Sequence, residues 1–152
     1  PDRLAYVTQT TLSVDDTAAI IAKLKQRFPT IIGPDLRDIC YATQNRQNAV
    51  RELAKMVDVI LVIGAINSSN SNRLRDLGQE MGVASYLING ANDIKNSWLK
   101  NVNTVGITAG ASAPEILVEE VVNYLQTRYQ AFATTMEGVA ENIKFKLPKK
   151  IA

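Results

Sequence analysis

The stretch Val57-Asp58-Val59-Ile60-Leu61-Val62-Ile63-Gly64-Ala65-Ile66-Asn67-Ser68-Ser69-Asn70-Ser71-Asn72-Arg73 joins an apolar run to an unbroken series of hydroxyl and amide side chains. An apolar run of this length suits a strand buried on both faces, as in a parallel sheet. A helical pattern runs from about Asn70 to Met81, so the polar series falls where a buried strand meets a helix N-terminus. That end of a helix presents unpaired backbone N–H groups and a partial positive charge, which suits an anion. Two other segments repeat the arrangement: Thr8-Gln9-Thr10-Thr11-Leu12-Ser13 after Leu4-Ala5-Tyr6-Val7, and Thr108-Ala109-Gly110-Ala111-Ser112-Ala113-Pro114-Glu115 after Thr104-Val105-Gly106-Ile107. Three strand-to-helix corners of this kind point to a site for a phosphorylated ligand.

The rest of the chain fits that reading. A helix is expected from Ser13, with Asp16 completing a variant capping box and Ile20, Ile21, Leu24 and Phe28 forming its apolar stripe, until Pro29 ends it. Ile32-Gly33-Pro34-Asp35 reads as a loop. A second helix is expected from about Gln44 to Met56, with Val50, Leu53, Ala54 and Val57 on one face. The strand 57–63, the helix 70–81 and a strand Ala84–Ile88 follow; Asn89–Asp93 then turns into a short helix carrying Trp98 and Leu99. A strand Thr104–Ile107 and a helix from Pro114 to about Arg128 complete the pattern. Alternating strands and helices make this an α/β chain, a parallel sheet with helices on both faces. Ile143-Lys144-Phe145-Lys146-Leu147 alternates apolar and basic residues, as a half-exposed edge strand would.

Composition narrows the function. The chain has 152 residues, 17 basic against 15 acidic, and the signs are interspersed, so no basic stripe favours nucleic acid. No apolar stretch approaches a membrane span, and the Lys149-Lys150 end reads as solvated charge. There is no histidine, which removes histidine acid–base chemistry and histidine metal ligation from this chain. A single cysteine makes no internal disulfide and fits a reducing cytoplasm. The chain opens on Pro1-Asp2 rather than methionine and is expected to be a piece of a longer protein.

Each corner also has a purely structural reading. Ser13 is assigned to capping, since Asp16 would repel a phosphate. Ser112 with Glu115 has capping-box spacing, with Pro114 suited to a first turn, so its role stays open between cap and ligand. The Asn67–Asn72 series exceeds what one cap needs. Neither a Gly-Lys-Ser/Thr phosphate loop nor a Gly-x-Gly-x-x-Gly turn is present. Arg73 is read as an ion-pair partner or solvated residue, Trp98 as a packing anchor, and Tyr6, Tyr41 and Tyr86 as core or rim. Cys40 is either a buried core thiol or, lying before a helix N-terminus, a thiolate suited to a metal–sulfur bond. One cysteine cannot hold a cluster by itself.

Four segments together resemble the 4-hydroxy-3-methylbut-2-enyl diphosphate reductase (LytB/IspH) family: Thr8–Ser13, Asp38-Ile39-Cys40-Tyr41-Ala42-Thr43-Gln44-Asn45-Arg46-Gln47, Asn67–Leu74 and Thr108–Pro114. The match spans nearly the whole chain and about the C-terminal half of the family's protein. The resemblance implies reductive removal of the 4-hydroxyl from an allylic diphosphate, yielding isopentenyl and dimethylallyl diphosphates in the non-mevalonate pathway. It implies a 4Fe–4S cluster on three cysteines, of which Cys40 matches one, and an electron donor of ferredoxin or flavodoxin type. Ser68, Asn70 and Ser112 match diphosphate-binding residues, with Ser69 beside them. Thr10 matches a threonine near the substrate hydroxyl that helps place a proton relay, and Thr43 lines the same cavity. The family folds as three similar α/β units in a pseudo-symmetric arrangement. By that layout residues 1–36 finish the second unit, 37–128 form the third and 129–152 are a C-terminal tail.

Departures from the family are substantial. The other two cysteines, two histidines and a proton-feeding glutamate have no counterpart here, so the chain alone is expected to be inactive and to carry no cluster. Ala65-Ile66 replaces the usual small-then-polar pair. Apolar residues in 1–36, stripped of partners, are expected to favour self-association. The alternatives are a non-catalytic α/β module that binds a phosphorylated metabolite, and a structural α/β domain whose polar corners are only caps.

Overall fold

A computed structural model of the chain describes residues 3–34 and 41–136. Among these residues three strands form one sheet: β1 (Val59–Ile63), β2 (Ala84–Ile88) and β3 (Val105–Ala109). All pairing is parallel, in the order β2-β1-β3, with Val59 opposite both Ala84 and Val105 and Ile63 opposite both Ile88 and Ala109. The helices described are α1 (Val14–Arg27), α2 (Tyr41–Leu53), α3 (Ser69–Glu80) and α4 (Glu115–Tyr129).

β1 is central and every one of its five residues is buried, which explains why its sequence is uniformly apolar rather than alternating. Its side chains still divide by face. Val59, Leu61 and Ile63 pack with Ile88, Ile94 and the α4 residues Val121 and Leu125. Ile60 and Val62 pack the other way, against Val50 of α2 and Leu74 and Leu77 of α3. The expected α/β sheet with helices on both faces is therefore present.

Strand order decides where a ligand fits. From β1 the chain crosses through α3 to β2 on one side, then passes through two 3-10 turns (Ala91–Asp93 and Asn96–Leu99) to β3 on the other. The helices that follow the adjacent strands β1 and β3 thus lie on opposite faces of the sheet. Such a reversal opens a crevice beyond the carboxyl ends of the two strands. The crevice here is bounded by residues 64–69 and 110–114.

α2 runs antiparallel to β3. Leu53 packs over Gly106, where a Cβ would come within 2.7 Å of it, and the Arg46 guanidinium donates to the Ala109 carbonyl at 3.0 Å. Seven helical residues rise about 10 Å, matching the three strand residues between those contacts. The first turn of α2, with Thr43, therefore projects past the end of β3 towards the crevice.

Several boundaries differ from the sequence expectation. α2 begins at Tyr41 rather than near Gln44, because its buried stripe continues through Gln47 and Thr43 instead of ending with the apolar Val50. β1 starts at Val59 rather than Val57: the Asp58 carboxylate takes over, accepting from the backbone N–H groups of Asn103 and Thr104. β3 extends to Ala109 because pairing with Ile63 carries it past the apolar run. Among the described residues the expected strand at Leu4–Val7 reduces to one parallel bridge between Ala5 and Ile32. With Val7 90% and Ile32 73% exposed, a longer pairing there would bury nothing. The expected strand at 143–147 lies outside the described residues.

Candidate functional site

Beyond β1 the chain turns at 65–68, closed by the Ser68 N–H donating to the Ala65 carbonyl at 2.9 Å. Ser68, with extended backbone, is the N-cap of α3; its Oγ accepts from the Ser71 N–H at 3.3 Å and from the Ser71 hydroxyl at 3.0 Å. Asn72 donates its amide to the Ile66 carbonyl at 2.6 Å and the Ser68 carbonyl at 2.9 Å, pinning the turn. Ser68, Ser71 and Asn72 thus all have partners within the turn. Asn70 is different. It is only 7% exposed, and neither its Oδ1 nor its Nδ2 has a hydrogen-bond partner. Buried amides are rarely left so, because desolvation without a partner costs about 1–3 kcal/mol. Ser69, next to it, is exposed.

The second side of the crevice is the β3 corner. The Gly110 N–H donates to the Ile63 carbonyl at 2.8 Å and ties the ends of β3 and β1 together. Asn70 reaches across, its Nδ2 lying 3.7 Å from where a Cβ on Gly110 would stand. The capping-box expectation for Ser112 with Glu115 is not met. The N-cap of α4 is Pro114, without a side-chain cap, because Gly110–Ala113 forms its own turn (Ala113 N–H to Gly110 carbonyl, 3.0 Å) and shifts the helix start. Ser112 therefore sits exposed in the turn, released from capping.

Thr43 (2% exposed) and the fully buried Gln47 belong to the first turns of α2. Gln47 Nε2 donates to the Leu12 carbonyl at 3.1 Å, so α2 holds the Thr10 loop as well as β3. Ion pairs add to this attachment: Arg51 with Asp15, and Arg73 with Asp16 at 3.9 Å. Thr10 is exposed in a turn before Ser13, which caps α1 as expected by accepting from the Asp16 N–H at 3.3 Å. Ser68, Ser69, Asn70 and Ser112 thus stand at one sheet edge, with Thr43 directed there by α2 and Thr10 on a loop tethered to that helix. Cys40 lies outside the described residues.

Electrostatics separate the corners. α3 has no acid in its first turn, whereas α1 carries Asp15 and Asp16 there, so an anion is accommodated at the first and repelled at the second. α2 likewise starts without an acid. Arg73 is an ion-pair partner, as expected, 2.6 Å from Glu80. Hydroxyls, amides and backbone N–H groups face the crevice, with the Arg46 guanidinium beside it on the Ala109 carbonyl, an arrangement that can hold the oxygens of a phosphate or diphosphate by hydrogen bonds. Among the described residues no group of three or more His, Cys, Asp or Glu is placed to hold a metal, and no helix is long and apolar enough to cross a membrane.

Trp98 is a packing residue, stacked on Tyr86 with ring centroids 4.0 Å apart. Other concavities, on the outer face of α1 around Ile20 and beside Tyr129, contain none of these residues. Sequence reasoning missed Ser71, Arg46 and Gln47. Gln47 was detectable in principle, standing four residues after Thr43 and three before Val50 on one helical face.

The LytB protein family profile matches residues 1–126. The chain is 59% identical over 149 residues to 4-hydroxy-3-methylbut-2-enyl diphosphate reductase 2 of Bradyrhizobium diazoefficiens, covering 98% of this chain and 48% of that protein. It is 61% identical over 147 residues to the reductase of the same name from Anaplasma marginale, covering 97% of this chain and 43% of the relative. The solved structure of the E-1-hydroxy-2-methyl-but-2-enyl-4-diphosphate reductase from Plasmodium falciparum superposes with a TM-score of 0.88 at 40% identity, over 98% of this chain and 48% of that one. The chain spans about half the length of these relatives. It belongs to the LytB protein family.

Proposed function

We propose that this chain forms the diphosphate-binding part of a 4-hydroxy-3-methylbut-2-enyl diphosphate reductase. Asn70 carries the reading: a buried amide with both ends unpaired, at a helix N-terminus free of acids, is a binding group waiting for a ligand. Ser68, Ser69 and Ser112 complete the set of donors around the diphosphate, with Thr43 at the same edge. Thr10 is assigned to the substrate's other end, where it positions the hydroxyl that leaves and its proton. The carbon–oxygen bond of that allylic hydroxyl breaks, two electrons arrive from a ferredoxin- or flavodoxin-type donor, one proton leaves with the oxygen as water, and a second proton is taken up by the allylic carbon skeleton.

A 4Fe–4S cluster is assigned to the longer protein. With no histidine and one cysteine, this chain supplies one ligand at most, Cys40, immediately before a helix that starts without an acid. When bound, the cluster supplies the electrons; the residues described here bind and orient. The proposal keeps residues 1–36, 37–128 and 129–152 as the end of one α/β unit, a second unit and a tail. It places the protein in the cytoplasm, where thiols stay reduced. The exposed Val7, Ile20 and Ile32 support self-association through residues 1–36.

The test is calorimetric titration of inorganic diphosphate into the full-length protein and its Asn70→Ala variant. Hydrogen bonds to charged groups contribute about 1.5–3 kcal/mol, so a roughly tenfold to hundredfold loss of affinity is expected. Unchanged affinity would remove Asn70 from the site and the reading with it.

A further inference from the structure

We propose that Ser71 is a positioning residue that fixes Ser68 as a proton donor towards the bound anion, an inference that rests on the diphosphate reading of the crevice. A serine hydroxyl has one hydrogen to give and two lone pairs to fill. At Ser68 one lone pair is filled by the Ser71 N–H at 3.3 Å, and the Ser71 hydroxyl stands 3.0 Å from the Ser68 hydroxyl, where either can donate to the other. With an anion taking the Ser68 hydrogen, the Ser71 hydroxyl donates back and fills the second lone pair. Ionised phosphate oxygens only accept, so a serine limited to donation matches them. A hydroxyl that already accepts two hydrogen bonds is also polarised into a stronger donor.

Ser71 is itself held in place from both sides. It is 1% exposed, in a slot between the ends of β1 and β3. A Cβ on Gly64 would lie 2.1 Å from its Oγ, and a Cβ on Gly110 2.2 Å from the same atom. Both approaches are closer than any side chain tolerates, so glycine at the two strand ends is what admits the hydroxyl. The Ser71 Oγ therefore stands between the two corners that bound the crevice, and its position follows from where both strands end. A serine that only filled space would not need its hydroxyl directed at the cap residue.

The test is a double-mutant cycle in the full-length protein, with inorganic diphosphate as the titrant and Ser68→Ala, Ser71→Ala and the double variant compared. Ser71→Ala is expected to weaken binding about tenfold, and in the Ser68→Ala background to have no further effect, since Ser71 acts through Ser68. Losses that multiply would show that Ser71 merely supports the fold, and wild-type affinity in Ser71→Ala would show that Ser68 needs no help; either overturns the proposal. Should Ser71→Ala fail to fold, Ser71→Cys keeps the volume with a weak donor and is expected to bind as Ser71→Ala would. If Asn70→Ala binds diphosphate normally, the crevice reading itself fails, and the Ser71 role fails with it. If Asn70→Ala loses affinity and the Ser68 or Ser71 variants do not, only the Ser71 role is lost.

Discussion

Side chains within one short turn divide between holding the fold and waiting for a ligand, and stability measurements separate the two. Ser68 caps α3, so Ser68→Ala is expected to lower stability by about 1 kcal/mol. Asn70 has no partner for either end of its amide, so the empty protein gains nothing from its polarity. Asn70→Leu, branched at the same atom with the same number of heavy atoms and without the unpaired groups, is expected to leave stability unchanged or raise it by about 1 kcal/mol, while binding is lost. Urea midpoints of the two variants, measured without ligand, check this; a midpoint for Asn70→Leu lowered as far as that of Ser68→Ala would make Asn70 a structural residue. At this scale the sequence was informative wherever a role is local. Ser13 and Ser68 cap the helices that follow them, three residues away. For Ser112 the spacing to Glu115 left cap and ligand both open, because it cannot show whether the Gly110–Ala113 turn forms before or within the helix.

Elements place these side chains, and α2 does more of this than its composition suggests. Its apolar residues face the sheet through Val50 and Leu53, but its first turns act through polar contacts. Arg46 holds the Ala109 carbonyl at the end of β3, and Gln47 holds the Leu12 carbonyl in the loop that carries Thr10. Among the described residues no extended strand ties that loop to the sheet, since residues 4–7 make one bridge there, to Ile32. Gln47→Leu removes the tether and leaves the Leu12 carbonyl unpaired, at a cost of about 1–3 kcal/mol. Amides of residues 8–13 are expected to exchange hydrogen faster in this variant while those of β1 stay protected; equal protection of the loop in both proteins would show that Gln47 is not its anchor. The apolar period placed α2 from about Gln44 to Met56, missing its first turn and overrunning its end at Leu53. Thr43 and Gln47 are buried polar residues, and their burial comes from neighbours distant in sequence, which periodicity does not encode.

At the scale of the whole molecule, the two edges of the sheet are built for different ends. The carboxyl edge holds an unpaired amide and acid-free helix starts; the amino edge is closed by Asp58. That carboxylate accepts from the N–H of Asn103 at 2.8 Å, the N–H of Thr104 at 2.9 Å and the Thr104 hydroxyl at 3.0 Å, joining the approaches to β1 and β3. The backbone N–H of Thr104, then that of Asn103, then the Thr104 hydroxyl hold its pKa below the ordinary carboxylate value. The alternation of strands and helices was legible from the apolar runs, but the strand order that opens the crevice was not, because it depends on which edge of β1 each later strand takes. Asp58 went unnoticed for a related reason: its partners lie 45 and 46 residues away. The direction of its shift sets the pH dependence. A carboxylate whose pKa is lower folded than unfolded adds stability that is fully present above the unfolded value and is lost as pH falls through the folded one. Asp58→Asn is therefore expected to be less stable than the wild type at neutral pH, with the difference shrinking as the pH drops below the ordinary carboxylate range. Urea midpoints of both proteins at pH 7 and at successively lower pH measure this; a difference that stays constant or grows on acidification would show that the clasp does not act through its charge.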